Sequence, residues 1–126
     1  MASDTCPFCE YVRGEKDLPE GKSLSGRGAL AFSPLSPAAR GHMLVVPSRH
    51  VERITELDPF ELSQLMNLVS ANYELIEHEL KPDGMNLVIQ DREAGGMSIE
   101  HLHIHLIPRW HNDGRGYRFT PRGYEP

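Results

Sequence analysis

The sequence predicts an α+β fold: an antiparallel sheet of about five strands, one long helix packed on it, and a short helix at the N-terminus. Three patterns carry that prediction. Residues 101–107 alternate His101, His103 and His105 with Leu102, Ile104 and Leu106, which is the period of two of a strand with one apolar face. Asp58-Pro59-Phe60-Glu61 opens a run with apolar residues every three or four positions, the period of an amphipathic helix. Met43-Leu44-Val45-Val46-Pro47, entered through Gly41 and ended by proline, reads as a buried strand.

In chain order, Cys6-Pro7-Phe8-Cys9 with Tyr11 and Val12 has the apolar bulk for one short helix, which Gly14 ends. Residues 15–27 are charged and broken by Pro19, Gly21 and Gly26, so they predict an irregular surface connection with room for a short fifth strand. Residues 28–32 form a strand. Pro34 and Pro37 then forbid its continuation, because proline donates no ladder hydrogen bond.

Asp58 is placed to cap the long helix, Pro59 suits its first position, and Glu61 completes a capping box. Leu62, Leu65, Met66, Val69, Tyr73, Ile76 and Leu80 form its expected core stripe. Lys81-Pro82-Asp83-Gly84 stops it, and its length predicts that it crosses the whole sheet. A strand over 85–90, a loop over 91–97 with Gly95-Gly96, and the histidine strand follow. Residues 115–126 read as a C-terminal tail with Tyr117, Phe119 and Tyr124, within a single domain spanning 1–126.

Composition narrows the function. With 25% charged and 39% hydrophobic residues the chain reads as a soluble globular protein. Its net charge of -5 and scattered Lys and Arg argue against a surface for long nucleic acid, while leaving room for a small anionic substrate. There is no apolar run of the roughly 18 residues a membrane span needs and no secretory leader pattern at the N-terminus, so the expected location is the cytoplasm.

Histidine can ligate, attack or carry a proton near neutral pH. Same-face positions on a strand lie about 6.5–7 Å apart, twice the rise per residue, so one metal ion held by all three imidazoles is disfavoured. A nucleophilic histidine with neighbours that fix its tautomer and serve a leaving group fits better. The two cysteines have zinc-knuckle spacing, and two histidines would have to complete a closed site. His50, just past a strand end, and one member of the triplet are the best placed; a redox pair or two packed thiols remain the alternatives.

His101-Leu102-His103-Ile104-His105-Leu106-Ile107 resembles the signature of the histidine triad superfamily of nucleotidyl hydrolases and transferases. Gly41-His42 with Pro47-Ser48-Arg49-His50, the cysteine pair, and Gln90-Asp91 before a glycine loop extend the resemblance over nearly the whole chain. Pro108-Arg109-Trp110 leans toward the fragile-histidine-triad branch, similar to dinucleoside polyphosphate hydrolases and phosphorylases.

The resemblance implies a HIT-like fold and the following roles. His103 is the nucleophile that attacks an α-phosphorus and carries a nucleotidyl-histidine intermediate. His105 and His42 support the phosphate and the nucleophile. Gln90, Ser98 and the Gly96 backbone face the phosphates, Phe8 and Phe32 offer an apolar slot for a base, and Trp110 is a substrate contact. Zinc is held by Cys6, Cys9, His50 and His101. Magnesium accompanies the nucleotide substrate, and the protein is a homodimer whose interface involves the long helix and its neighbouring strand.

The same resemblance leaves open a nucleoside phosphoramidase, or a zinc-stabilised nucleotide-binding module of weak activity. Two positions depart from it. Pro34 stands where relatives carry Asn or Asp facing the ribose, leaving Ser33 or Ser36 to supply that contact, and Met97 stands where a glutamine would reach the phosphates. His78 reads as a solvated helix residue and His111 as a surface or rim residue.

Overall fold

The computed structural model of the chain describes residues 5–21 and 23–114. The tail at 115–126, with its three aromatics, lies outside them. Helix α1 (Pro7–Val12) starts with Cys6 as its cap, whose Sγ accepts the Cys9 N–H at 3.4 Å, and with proline in its first turn. Strands β1 (Ala29–Phe32) and β2 (Met43–Pro47) follow, then α2 (Pro59–Leu80), β3 (Gly84–Ile89) and β4 (Ile104–Arg109). The strands form one sheet in the order β1-β2-β4-β3, each neighbouring pair antiparallel.

Among the described residues the sheet has four strands, not about five. The segment before β1 makes only an isolated bridge between Gly26 and Ala29, because its polar groups are spent elsewhere. Ser25 Oγ takes the Ala31 N–H, and the backbone of Leu24 is bound by Asn72 from α2.

The α2 cap is the one the sequence predicts: Asp58 accepts the Glu61 N–H at 2.8 Å and Glu61 returns the favour to Asp58 at 3.0 Å. Lys81 ends the helix in the left-handed conformation at φ 49°. Its stripe is rotated from the expected one. Leu65, Leu68, Val69, Asn72 and Ile76 are buried, while Met66 is exposed. The helix packs mainly on β1, β2 and β4 rather than across the whole sheet, and the edge strand β3 leaves Leu87 and Ile89 exposed. No helix among the described residues is long and apolar enough to cross a membrane.

The sheet has two covered faces. Ala29, Ala31, Met43, Val45, Ile104 and Leu106 join Leu102 and α2 in one core, and Phe32, Leu44 and Val46 join Cys6, Phe8 and Cys9 of the α1 region in a second. His105 pairs in register with Leu44 and therefore shares the α1 face. The ladder begins at Ile104 rather than at His101, since Pro47 offers no N–H to a partner at Leu102. The Leu102 N–H goes to the Val51 carbonyl instead, at 2.7 Å.

Asn72 is wholly buried and makes three hydrogen bonds, to the Leu24 N–H, the Leu24 carbonyl and the Leu68 carbonyl, at 2.8–2.9 Å. Asn72→Ala leaves the Leu24 N–H and carbonyl without their side-chain partner and opens a cavity, so it is expected to cost about 2–4 kcal/mol of folding free energy. Urea unfolding measures this, and a loss under about 0.5 kcal/mol, the range of ordinary surface substitutions, would contradict it.

Candidate functional site

Two groups of histidines meet where β2 ends and β4 begins. In the first, Cys6 and Cys9 are one helical turn apart and so share a face of α1. Cys6 Sγ lies 3.4 Å and Cys9 Sγ 3.5 Å from His101 Nδ1, and Cys9 Sγ lies 3.3 Å from His50 Nδ1. The four ligand atoms all fall within 4.8 Å of one another, a group able to hold a metal ion. No second cluster of three or more such residues occurs among the described residues, and nothing here supports the magnesium expected with the substrate.

Burial, then the hydrogen bond and charge of Cys6, push the Cys9 thiol up to about 11, so without a cation beside it Cys9 stays a neutral thiol at pH 7. His101 is fully buried, and its Nε2–H donates to the Pro47 carbonyl at 2.8 Å, which leaves Nδ1 as the lone-pair nitrogen facing both sulfurs. Burial also holds the imidazole near pKa 4, against the opposing pull of that carbonyl, so it is a neutral ligand at pH 7. His50 is oriented differently, for its Nε2 is buried with no hydrogen-bond partner among the described residues.

In the second group each tautomer follows from the one before. Ala38 donates its N–H to His42 Nδ1 at 2.9 Å, so the ring proton of His42 sits on Nε2. That proton faces His105 Nδ1 at 2.9 Å, which places the His105 proton on Nε2. His105 Nε2 is buried and has no partner among the described residues. His103 donates Nδ1–H to the His101 carbonyl at 2.7 Å, leaving Nε2 as its lone-pair nitrogen.

The His103 and His105 ring centroids are 5.0 Å apart, so a ring with a lone-pair nitrogen and a ring with an N–H are immediate neighbours. Burial lowers all three side chains, His42 and His105 to about 4, with the charges of His103 and His42 adding to the effect on His105. The pair is therefore neutral at pH 7, the state in which an imidazole can attack an electrophile. Phe8 sets its ring edge-on against both His103 and His101, at centroid distances of 5.2 and 5.7 Å, and shields this face.

The remaining predicted residues fall around this centre to different degrees. Phe8 and Phe32 are both buried, 5.2 Å apart in a T-shaped contact with Tyr11 beside them, so they form a closed wall. Gln90 packs on Gly96, whose φ is +98° and where a Cβ would come within 2.8 Å of Gln90 Nε2. Ser98 and Met97 line a polar cavity of about 440 Å³ with Glu52, Arg92, Glu93 and Glu100, and no histidine lines it.

Trp110 is half-buried at the opposite end of β4 from His105, about 16 Å along an extended chain. His78 and His111 are exposed. Sequence reasoning missed the Ala38 N–H, the Pro47 carbonyl and the His101 carbonyl, all backbone groups that no side-chain pattern announces.

Residues 18–112 match the HIT domain family, a span that begins after the cysteine pair. A bis(5'-adenosyl)-triphosphatase from Dictyostelium discoideum is 32% identical over 102 residues, covering 78% of this chain and 68% of that one. Among solved structures, a HIT family protein from Bacillus anthracis superposes with a TM-score of 0.84 at 34% identity, over 94% of this chain and 83% of that one. A Zn-bound histidine triad family protein from Mycobacterium smegmatis superposes at 0.80 with 27% identity, over 95% and 86%.

The depressed histidines fix a pH dependence. Between the ordinary value of 6.5 and about 4, the unfolded chain protonates His42 and His105 while the folded chain does not. Stability is thus complete above about pH 6.5 and falls as the pH drops toward 4. Urea midpoints from pH 7.5 to 4.5 should show this decline, and the double variant His42→Asn, His105→Asn should make it shallower, with the part due to His101 remaining; parallel curves would refute the assignment.

Proposed function

This chain belongs to the HIT domain family, and from that premise we propose that it is a nucleotidyl hydrolase or transferase acting at the α-phosphate of a dinucleoside polyphosphate or a related conjugate. The observation that carries the reading is the juxtaposition of the His103 lone pair with the partnerless His105 N–H. A family relative named as a bis(5'-adenosyl)-triphosphatase supports the substrate class.

In the proposed reaction His103 Nε2 attacks the α-phosphorus. The N–P bond forms as the bond to the leaving oxygen breaks, and the electron pair departs with the polyphosphate. The positive charge gained by the imidazole is met by the His101 carbonyl on Nδ1–H. His105 Nε2–H hydrogen-bonds the oxygen on which negative charge develops. Water, or inorganic phosphate, then attacks the same phosphorus, the N–P bond breaks, and the nucleotide leaves with His103 restored.

The leaving group favoured by this arrangement is one that needs no proton. His42 cannot replace a proton lost by His105 and remain neutral, because its Nδ1 is held as an acceptor by Ala38. A polyphosphate departs as an anion, whereas an amine must be protonated, so this relay supports the polyphosphate reading over the phosphoramidate one. Gln90, Gly96 and Ser98 are assigned to the phosphates on resemblance.

The cysteine and histidine group is assigned to zinc. A tetrahedral ion with Zn–S of about 2.3 Å and Zn–N of about 2.0–2.1 Å separates S from N by about 3.5 Å, and the observed separations are 3.3–3.5 Å. The Zn-bound family neighbour supports the same metal. Bound zinc would supply the positive charge that lets the Cys9 thiol ionise. A homodimer is part of the proposal, with the exposed edge β3 as the face a second copy would cover.

His103→Ala should lower turnover of a diadenosine polyphosphate by at least about 10³-fold, the scale of losing a covalent nucleophile, with fold and metal content unchanged. Mass spectrometry of wild type quenched during turnover should find a nucleotidyl adduct on His103. Retained turnover in the variant would sink the assignment. Faster turnover of an adenosine phosphoramidate than of the polyphosphate would reverse the choice of leaving group.

Metal analysis tests the zinc assignment. The purified protein should hold one equivalent, and Cys6→Ser should lose it together with thermal stability; wild type free of metal would remove the four-ligand proposal.

A further inference from the structure

The two histidines of the metal group are held in different ways. His101 is oriented by its own second nitrogen on the Pro47 carbonyl. His50 has no such bond among the described residues, where its buried Nε2 finds no hydrogen-bond partner. It also sits in the bend that follows β2, outside any helix or strand. Something else must set the direction from which His50 Nδ1 approaches the cysteines.

The neighbours of His50 in sequence are both tied down. Val51 is buried, and its carbonyl accepts the Leu102 N–H at 2.7 Å. On the other side Arg49 turns away from the metal group to α2. Its Nε and one terminal nitrogen make a two-pronged contact with the Glu61 carboxylate at 2.7 and 2.8 Å, and that nitrogen also donates to the Glu56 carbonyl at 2.7 Å. The Glu56 carboxylate in turn accepts the N–H groups of Glu52 and Arg53 at 3.0 and 2.8 Å. Residues 49–56 are thereby tied to one another through Glu56 and to the first turn of α2 through the Arg49–Glu61 contact.

We propose that Arg49 is a positioning residue for the metal ligand His50, anchored by Glu61, so that the capped end of α2 and the metal group are coupled. The proposal rests on the metal-site reading above. A solvent-exposed ion pair ordinarily does little for global stability, but a guanidinium fork with a further carbonyl contact fixes direction as well as distance. Direction is what an imidazole lacking its own second bond requires. Coupling is reciprocal, so metal binding should also steady the α2 start.

The test compares zinc affinity, by competition with a chromophoric chelator, for wild type, Arg49→Met, Glu61→Gln and the double variant. Gln at 61 still completes the capping box, so helix α2 is retained while the charged anchor is lost. Each single variant should bind zinc about 10–100-fold more weakly, the usual cost of losing support behind a ligand. The double variant should be no weaker than the weaker single, because both disrupt one contact.

Arg49→Lys should fall between wild type and Arg49→Met. Amide exchange at residues 58–62 should slow on zinc addition in wild type and respond less in Arg49→Met. Wild type that binds no zinc overturns the metal-site reading. Wild type that binds zinc, with affinity unchanged in Arg49→Met or with fully additive losses in the double variant, overturns the coupling alone.

Discussion

Leu102 donates its backbone N–H to the Val51 carbonyl at 2.7 Å, and the chemistry of both histidine groups depends on that junction. The bond runs between the residue after His50 and the residue after His101, so it holds the two histidines of the candidate metal cluster a fixed distance apart. It forms because Pro47 ends the β2 ladder: without an N–H at that point, the chain entering β4 must bond further along. The Pro47 carbonyl, released from the ladder, is then available to His101 Nε2. One proline thereby accounts for the late start of β4 and for the tautomer of a buried ligand.

Each imidazole does one thing because its other nitrogen is already committed. His101 gives one nitrogen to Pro47 and turns the second toward the sulfurs, while His103 gives one to the His101 carbonyl and keeps a lone pair. His42 is held between Ala38 and His105. Burial makes these commitments firm, since each ring is held neutral well below its ordinary pKa and cannot escape its role by taking up a proton at pH 7. Three histidines that look equivalent in sequence are distinguished by backbone partners.

The elements with a strong local signal were legible in the sequence. The α2 start was readable because Asp58, Pro59 and Glu61 each satisfy a distinct requirement of a helix N-terminus, and the alternation from Leu102 to Leu106 was readable because one face had to be apolar. The α2 stripe was misread at Met66 and Asn72 because the helix rotates to let Asn72 bind the Leu24 backbone, a tertiary demand invisible to periodicity. The fifth strand failed for the same reason, its polar groups being taken by side chains. The metal group was legible through the spacing of Cys6 and Cys9 and through family resemblance, whereas the relay through Ala38 was not, because a backbone N–H has no signature.

The cysteine helix and His103 share a wall, and this links the Cys6, Cys9, His50 and His101 cluster to the second histidine group. Phe8 sits in α1 between Cys6 and Cys9 and presses its ring edge against both His101 and His103. A six-residue helix is too short to persist by its own hydrogen bonding, so its position depends on packing and on whatever its cysteines hold. If those sulfurs are released, Phe8 loses its seat and water gains access to His103. Solvation would remove the cause of the lowered His103 pKa and let that ring take up a proton more readily. A metal held by the cysteines would then act on the His103 lone pair by keeping the ring dry.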